Sequence, residues 1–573
     1  MRACCVRWFA ARRWGPHLIF ATLCLCASRD AWGQPATTTE ALLARARSQG
    51  IAESSSWLRL LHYRPDAKRR AVSQIDGKAF FLAPNGARDP RAELEATLRA
   101  FELPVEPGRE DEHALCRFPA RRQLLDEQLH FAGALHRPTC PGLARYLAAV
   151  DLESISVVYA ANYLNNPASA FGHTFLRLQK RRPAGSAASD DALSYGVEYV
   201  ANTDTENPFL YAFKGLTGLF PGVFRFHSYE SKLHEYENGE ARDLWEYRLG
   251  FTTAEATRLA LHLWELSTTH LDYYYLTKNC SYHVLATLEA AAPRLDLVSH
   301  LNFVVLPRDT IKALYRVPGL VRGTVYRPSI RSRALPSAVR QEAAQKAPQR
   351  AHGSMRLTLG TGITSQYGGS FDTLGYRLAL HDLADPPAGE MELLQVQFLD
   401  TQLRYDLAQR SFTLNRLTFA ELVALNPLTR DETALSWRAR AFGMRLHDRA
   451  CPDCFAHGLD LGMGVTLATD DEHLAFFVMA DAYVGFSPSL HGIHDSFVRV
   501  GVGPYAGVRA RLPGHTLALI TGNWSYLPAQ DLLGTYEVRA TLRSALTNEV
   551  AVGFEAALQP ASNEAQLASY FYF

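Results

Sequence analysis

The residues best placed to do chemistry are a cysteine and a histidine far apart in the chain. Cys280 lies in Leu276-Thr-Lys-Asn-Cys-Ser-Tyr-His-Val-Leu285, where a polar stretch passes into a short helix expected from about Ser281 to just before Pro293. A cysteine at a helix N-terminus meets unpaired backbone N–H groups and the positive end of the helix dipole, which favour the thiolate, the form that attacks carbonyl carbon. Lys278 adds a nearby positive charge, and the same N–H groups could hold the oxyanion of a tetrahedral intermediate. His173 opens an expected strand after the glycine-containing turn of Asn165-Asn-Pro-Ala-Ser-Ala-Phe-Gly-His-Thr-Phe-Leu-Arg177. Its neutral imidazole would take the thiol proton and later return it, with a third polar group holding the ring. Without Cys280, His173 reads as a hydrogen-bonded strand histidine. His283 is an alternative base three residues after Cys280, but on the same helix it is poorly placed opposite an attacked carbonyl and reads as structural or substrate-contacting.

The elements around this pair follow from composition shifts along 573 residues, a length of three or four domains. Arg2, Arg7, Arg12 and Arg13 precede the apolar run Leu18–Ala27, and Ala31 and Gly33 are small residues before a cut at Gln34; residues 1–33 read as a signal peptide. Export to an oxidising compartment changes the cysteine inventory. Of nine cysteines, Cys4, Cys5, Cys24 and Cys26 leave with the signal. Cys451-Pro-Asp-Cys454 reads as a local disulfide between two strands, since a redox motif needs a helix after it; Cys116 and Cys140 could form a second pair. That leaves Cys280 as the odd thiol, a pattern that flags reactivity.

Residues 34–150 carry helical spacing, as in Thr39–Arg47, Trp57–His62 and Glu93–Phe101. Residues 151–330 are mixed, with strands at Ser154–Ala160, His173–Leu178 and Ser194–Val200, and a capping box at Thr252–Glu255 opening a helix to about His270. Asp243 and Glu246 read as structural carboxylates pairing with Arg242 or Arg248. The apolar, glycine-rich tract Pro208–Gly222 reads either as a buried hairpin or as a lipid-facing loop. Residues 331–353, with Arg331, Arg333, Arg340, Lys346 and Arg350 and no apolar period, read as a solvated basic linker.

From residue 354 to 573 the period is two. Tyr536, Val538, Ala540 and Leu542 alternate with Glu537, Arg539, Thr541 and Arg543, and Leu394, Val396 and Phe398 alternate with Gln395 and Gln397. About a dozen such segments, ending on Tyr570-Phe-Tyr-Phe573, predict an antiparallel outer-membrane β-barrel of about 12 strands, with an even number expected for closure. A β-sandwich is the alternative. Lys and Arg total 59 against 58 for Asp and Glu, which argues against a nucleic-acid partner. No metal-ligand spacing and no phosphate loop is present, so no metal or cofactor is expected.

The order of His173 before Cys280, with Asn279-Cys280-Ser-Tyr-His283, resembles circularly permuted papain-like enzymes of the NlpC and lecithin:retinol acyltransferase type. More closely, Gly172-His-Thr-Phe-Leu-Arg177, Arg242-Asp-Leu-Trp-Glu-Tyr247 and Lys278-Asn-Cys-Ser-Tyr282 resemble the Lnb N-terminal periplasmic domain family, and Trp57–Tyr63 and Cys116–Arg121 fit its helical arm. The resemblance covers about residues 50–330. It implies an α+β permuted papain-like periplasmic domain with a helical N-terminal arm, followed by the barrel. It also implies a thiol acyltransferase or acyl hydrolase that takes an acyl group from a membrane phospholipid and passes it to an amine such as a lipoprotein N-terminus. Carried over, Cys280 is the nucleophile and His173 the base. Glu198, on the strand after the histidine, is the choice for third member, with Asn202 second; Asn279, His283 and Asn202 are candidate substrate contacts. The barrel anchor departs from members held by helical membrane segments, which leaves the acceptor open. The competing functions are a cell-wall cysteine peptidase or amidase, and a silent barrel whose periplasmic domain binds a partner.

Overall fold

The computed structural model describes residues 38–131, 138–162, 171–366, 369–389, 391–428, 434–490, 497–528 and 531–573. The expected signal peptide and the 165–170 part of the histidine motif lie outside them.

The arm is helical, with one small ribbon. Its elements are α1 (Thr38–Ser48), α2 (Ser55–Leu60), the hairpin β1 (Tyr63–Pro65) and β2 (Ala71–Ser73), α3 (Pro90–Phe101), α4 (Ala114–Arg117), α5 (Pro119–Leu129) and α6 (Pro141–Val150). Local chemistry starts these helices: Ser54 accepts from Trp57 N–H at the head of α2, and Asp89 accepts from the first turn of α3. The Cys116–Cys140 disulfide ties α4 to the start of α6. Buried Arg121 on α5 pairs with Glu93 at 2.7 Å, and Glu265 from a later helix accepts the N–H groups of Ala120 and Arg121, so arm and domain share one polar joint.

The domain that follows is a seven-stranded antiparallel sheet of β3 (Leu152–Ala160), β4 (His173–Lys180), β5 (Ser194–Ala201), β6 (Phe220–Ser228), β7 (Leu244–Leu249), β8 (Leu271–Tyr273) and β9 (Val321–Arg327), in the order β8-β6-β5-β4-β3-β7-β9. Alternation splits its apolar side chains. Val157, Leu176, Leu178, Val197 and Tyr199 join the large core with the arm, whereas Val158, Phe175 and Leu244 pack on Tyr229, Leu233 and Tyr236. The sheet is flanked by α7 (Pro208–Thr217), α8 (Tyr229–Leu233), α9 (Thr253–Leu266), α10 (Cys280–Ala291) and α11 (Pro307–Arg316). The Thr252–Glu255 capping box is present, and its helix stops at Leu266, short of His270.

Two expectations change here. Glu246 is a structural carboxylate, but its partners are Arg177 at 2.5 Å, Arg327 and Tyr229; Asp243 accepts from Tyr326, Ser332 and the Ser329 N–H. Arg242 instead donates to the Ala160 and Ala161 carbonyls and to Glu240. The segment 331–353 is not solvated chain: α12 (Ile330–Ala334) and α13 (Ser337–Gln345) run through it, and its charges bridge domain and barrel through Arg333–Glu237 at 2.7 Å, Lys346–Glu392 at 2.8 Å and Arg511–Glu342 at 2.8 Å. Charge partners order it, together with the burial of Ala347, Pro348 and Ala351 at its end.

Residues 356–572 close a barrel of twelve antiparallel strands in sequence order, from β10 (Arg356–Thr364) through β11 (Ser370–His381), β12 (Leu394–Asp406), β13 (Ser411–Ala424) and β14 (Ser436–Leu446) to the last strand (Asn563–Tyr572), which pairs with β10. Gln395, Gln397, Asp400, Glu421 and Arg438 face a lumen crossed by ion pairs such as Arg438–Asp481 and Arg404–Glu564, while Leu461, Met463, Val500, Val502 and Ile520 are exposed on the outside. The Cys451–Cys454 disulfide closes the turn between β14 and the next strand. Among the described residues no helix is long and apolar enough to cross a membrane.

Candidate functional site

Asn279 is the N-cap of α10: its side-chain oxygen accepts from Tyr282 N–H, and its amide nitrogen donates to the Tyr275 carbonyl at 3.0 Å and the Val305 carbonyl at 2.7 Å. Every hydrogen-bonding group of this side chain is engaged in holding the helix tip. Asn279 therefore fixes the tip of the helix on which Cys280 stands. Cys280, the first residue of α10, is unbridged and buried, 4% exposed.

The tip of α10 points at the start of β4. There the His173 imidazole and the Thr174 backbone N–H both reach the Cys280 sulfur, and the Ser281 hydroxyl lies 3.8 Å from it. Burial opposes charge on both groups and is outweighed. The imidazolium, its hydrogen bond and the Thr174 N–H draw the Cys280 thiol down to about 7, and the thiolate together with Glu198 holds His173 up at about 9. These influences favour the thiolate–imidazolium form of the pair, as the helix tip suggests for the thiol, and in that form the ring starts as the proton donor rather than as the neutral acceptor expected from sequence.

Glu198 on β5 shares the sheet face of His173, with its Oε2 3.5 Å from His173 Nε2. Lys232 at 3.2 Å and His227 at 2.9 Å hold the carboxylate from the side, and despite its burial the Glu198 carboxyl is held down at about 2 by His173 and Lys232. Asn202 lies beyond the end of β5, exposed, and accepts from Arg225 at 3.0 Å, so it does not hold the imidazole. His283 is wholly buried behind the helix, its ring 4.5 Å from that of Tyr199, and burial pushes it down to about 3. The Lys278 ammonium sits over the Tyr274 ring, 5.3 Å from its centroid.

A further residue completes the site. Tyr273, on the edge strand β8, puts its hydroxyl 3.3 Å from the Cys280 N–H and accepts from it; burial and the adjacent thiolate keep the phenol protonated. The Cys280 N–H is therefore engaged, and the Tyr273 hydroxyl is a further hydrogen-bond donor beside the sulfur. The only sequence signal was the run Tyr273-Tyr-Tyr275 just before the cysteine motif.

The site is also built against the barrel. Leu276, four residues before Cys280, and Phe171, two before His173, join Val304 and Leu306 in an apolar cluster with Leu394, Val396 and Phe398 of β12, Leu422 of β13 and Trp437 of β14. These barrel residues alternate with lumen-facing Gln395, Gln397, Glu421 and Arg438, so they belong to the outer wall.

Residues 143–317 match the family described as the Lnb N-terminal periplasmic domain. Residues 49–128 and 345–572 match two domains of unknown function, DUF7843 and DUF7840. No curated protein matches the chain. Among solved structures the chain is similar to the NanC porin (8% identity, 38% of this chain and 100% of that one, TM-score 0.26). It is also similar to an outer membrane channel from Pseudomonas putida F1 (14% identity, 39% and 96%, TM-score 0.24) and to the Acinetobacter baumannii outer membrane protein Omp33 (11% identity, 39% and 100%, TM-score 0.22). A periplasmic domain fixed to one end of a closed barrel puts that end in the periplasm and the barrel in the outer membrane.

Proposed function

We propose, on the premise that residues 143–317 belong to the Lnb N-terminal periplasmic domain family, that Cys280 is the nucleophile of an outer-membrane-anchored thiol acyltransferase whose acyl donor is a membrane phospholipid. The observation that carries this reading is an unbridged thiolate paired with His173, in a site whose flanking residues Phe171 and Leu276 pack on the outer wall of the barrel. A soluble peptide substrate needs no such placement; an ester held in a bilayer does.

In the mechanism, the Cys280 sulfur attacks the ester carbonyl of the donor and forms the C–S bond. The carbonyl oxygen becomes an oxyanion that the Tyr273 hydroxyl is placed to stabilise. Collapse breaks the C–O bond, His173 gives its proton to the departing lysophospholipid oxygen, and the acyl group stays on Cys280 as a thioester. The neutral imidazole, kept in orientation by Glu198, then takes a proton from an incoming amine as nitrogen attacks the thioester. The amide leaves and the thiolate–imidazolium pair is restored. Water in place of the amine makes the same cycle an acyl hydrolysis. A lipoprotein N-terminus is the acceptor the family resemblance implies.

The test is incubation of the full-length protein in vesicles containing labelled phosphatidylethanolamine. Lysophospholipid released by wild type and not by Cys280→Ala supports the reading. Release of muropeptide fragments from cell wall, with the phospholipid left intact, would replace it with a peptidase.

A further inference from the structure

The tract Pro208–Gly222 is neither a hairpin nor a loop: it forms α7 followed by the start of β6. The inner side of α7 is pressed on the tyrosines before Cys280. Tyr211 packs on Tyr275 at 5.5 Å, the Gly215 carbonyl accepts from the Tyr275 N–H at 2.9 Å, and Gly215 and Gly218 lie so close to the Tyr275 and Tyr274 rings that a Cβ at either would overlap them. The outer side is exposed. Leu210 is 43% exposed, Phe213 57% and Leu216 54%, at spacings of three that make one stripe, and Leu219 continues it at 57%. Phe303, 78% exposed, immediately precedes Val304, which is buried against the barrel wall.

These apolar groups continue an interface already described. From α7 the contacts run through Tyr275 to Leu276, whose carbonyl accepts from the Val305 N–H at 2.8 Å, and Leu276, Val304 and Leu306 rest on the outer wall of β12–β14. Further along these strands Leu399, Tyr405 and Phe419 are exposed on the barrel. A side chain beside Val304 that does not touch the barrel therefore meets what surrounds the barrel. Single exposed apolar residues elsewhere, such as Leu103 on the arm, need no explanation; four in one stripe along α7 and past its end, with Phe303 next in sequence to the barrel-docked Val304, do.

We propose that α7 is a membrane-contact element, with Leu210, Phe213, Leu216, Leu219 and Phe303 seated among phospholipid acyl chains of the periplasmic leaflet beside the barrel. Lys214, on the same helix, ion-pairs with Asp204 at 2.7 Å, which keeps its charge beside the stripe rather than in it. The element fixes the height of the domain against the bilayer and holds the leaflet next to the Tyr273–Tyr275 strip that leads to Cys280. The seat stands without the acyl-transfer reading; where both hold, it is what brings a donor ester to the thiolate.

The experiment measures depth, not activity. Full-length protein carrying Cys280→Ala and Phe213→Cys is labelled with bimane and reconstituted in phosphatidylethanolamine–phosphatidylglycerol vesicles. Leu216→Cys serves as a second site and Leu103→Cys as the aqueous control. The expected result is that nitroxide-bearing lipid quenches the label at 213 and 216 several-fold more than at 103, with aqueous iodide giving the reverse order. Iodide quenching at 213 and 216 equal to that at 103, or no preference for the lipid quencher, overturns the proposal. Because the cysteine nucleophile is absent from these variants, the outcome is independent of whether the enzyme transfers acyl groups.

Discussion

The rings of Phe171 and Phe398 lie 5.2 Å apart, one two residues before His173 and the other on the outer wall of the barrel. The strand that carries the imidazole is thereby fixed to a transmembrane surface. Nearby Val396 is fully buried in the same cluster. Val396→Asp would put a carboxylate into this contact with no partner, and the domain would release the wall at a cost of several kcal/mol. The expected result is faster protease cutting in 331–353, while the barrel keeps its heat-modifiable migration. Unchanged cutting would contradict the docking role.

The thiolate–imidazolium pair sets a pH dependence with two limbs. kcat/KM rises as pH increases through the lower limb, near 7, where the thiol gives up its proton, and falls through the upper limb, near 9, where the imidazolium loses its own. Glu198 holds His173 up, so Glu198→Gln moves the upper limb to lower pH and lowers kcat/KM by about 100-fold. A pH–rate profile of the two proteins checks both; an upper limb that stays in place would remove Glu198 from the pair.

The two histidines near the sulfur separate cleanly. His283→Leu keeps volume in a site that gives the ring no hydrogen bond, so stability changes by less than about 1.5 kcal/mol and both pH limbs stay put. His173→Ala leaves the fold intact and returns Cys280 to an ordinary, higher thiol pKa. Alkylation rate against pH reads both variants, and equal titration of Cys280 in wild type and His173→Ala would refute the pairing.

Asn279→Ala removes an N-cap and two tethers to carbonyls at once. The expected loss is about 2 kcal/mol in the melting of the periplasmic domain, with kcat falling while the pH limbs stay in place. A variant with wild-type melting would mean that the cap does not hold the helix tip.

Much of this was readable from the chain because the signals were local. A period of two over 354–573 exposes a barrel, since lumen and lipid demand opposite side chains at alternate positions. The passage from a polar stretch into an apolar run places Cys280 at a helix tip. What sequence could not give were partners from distant segments. Glu246 is bound by Arg177 and Arg327 rather than by its neighbours Arg242 and Arg248, and the polar 331–353 segment is ordered by Glu237, Glu392 and Arg511. Asn279 and His283 sit beside the cysteine in sequence, yet one is consumed by capping and the other points into the core. Tyr273 reaches the sulfur from an edge strand whose pairing with β6 no local pattern announces.

Mass spectrometry of the protein after brief exposure to phospholipid vesicles tests the central claim most directly. The account predicts a fatty-acyl adduct on the peptide containing Cys280, removed by hydroxylamine and absent from Cys280→Ala. A Cys280 peptide that remains unmodified while lysophospholipid accumulates would show that the acyl group never passes through this sulfur.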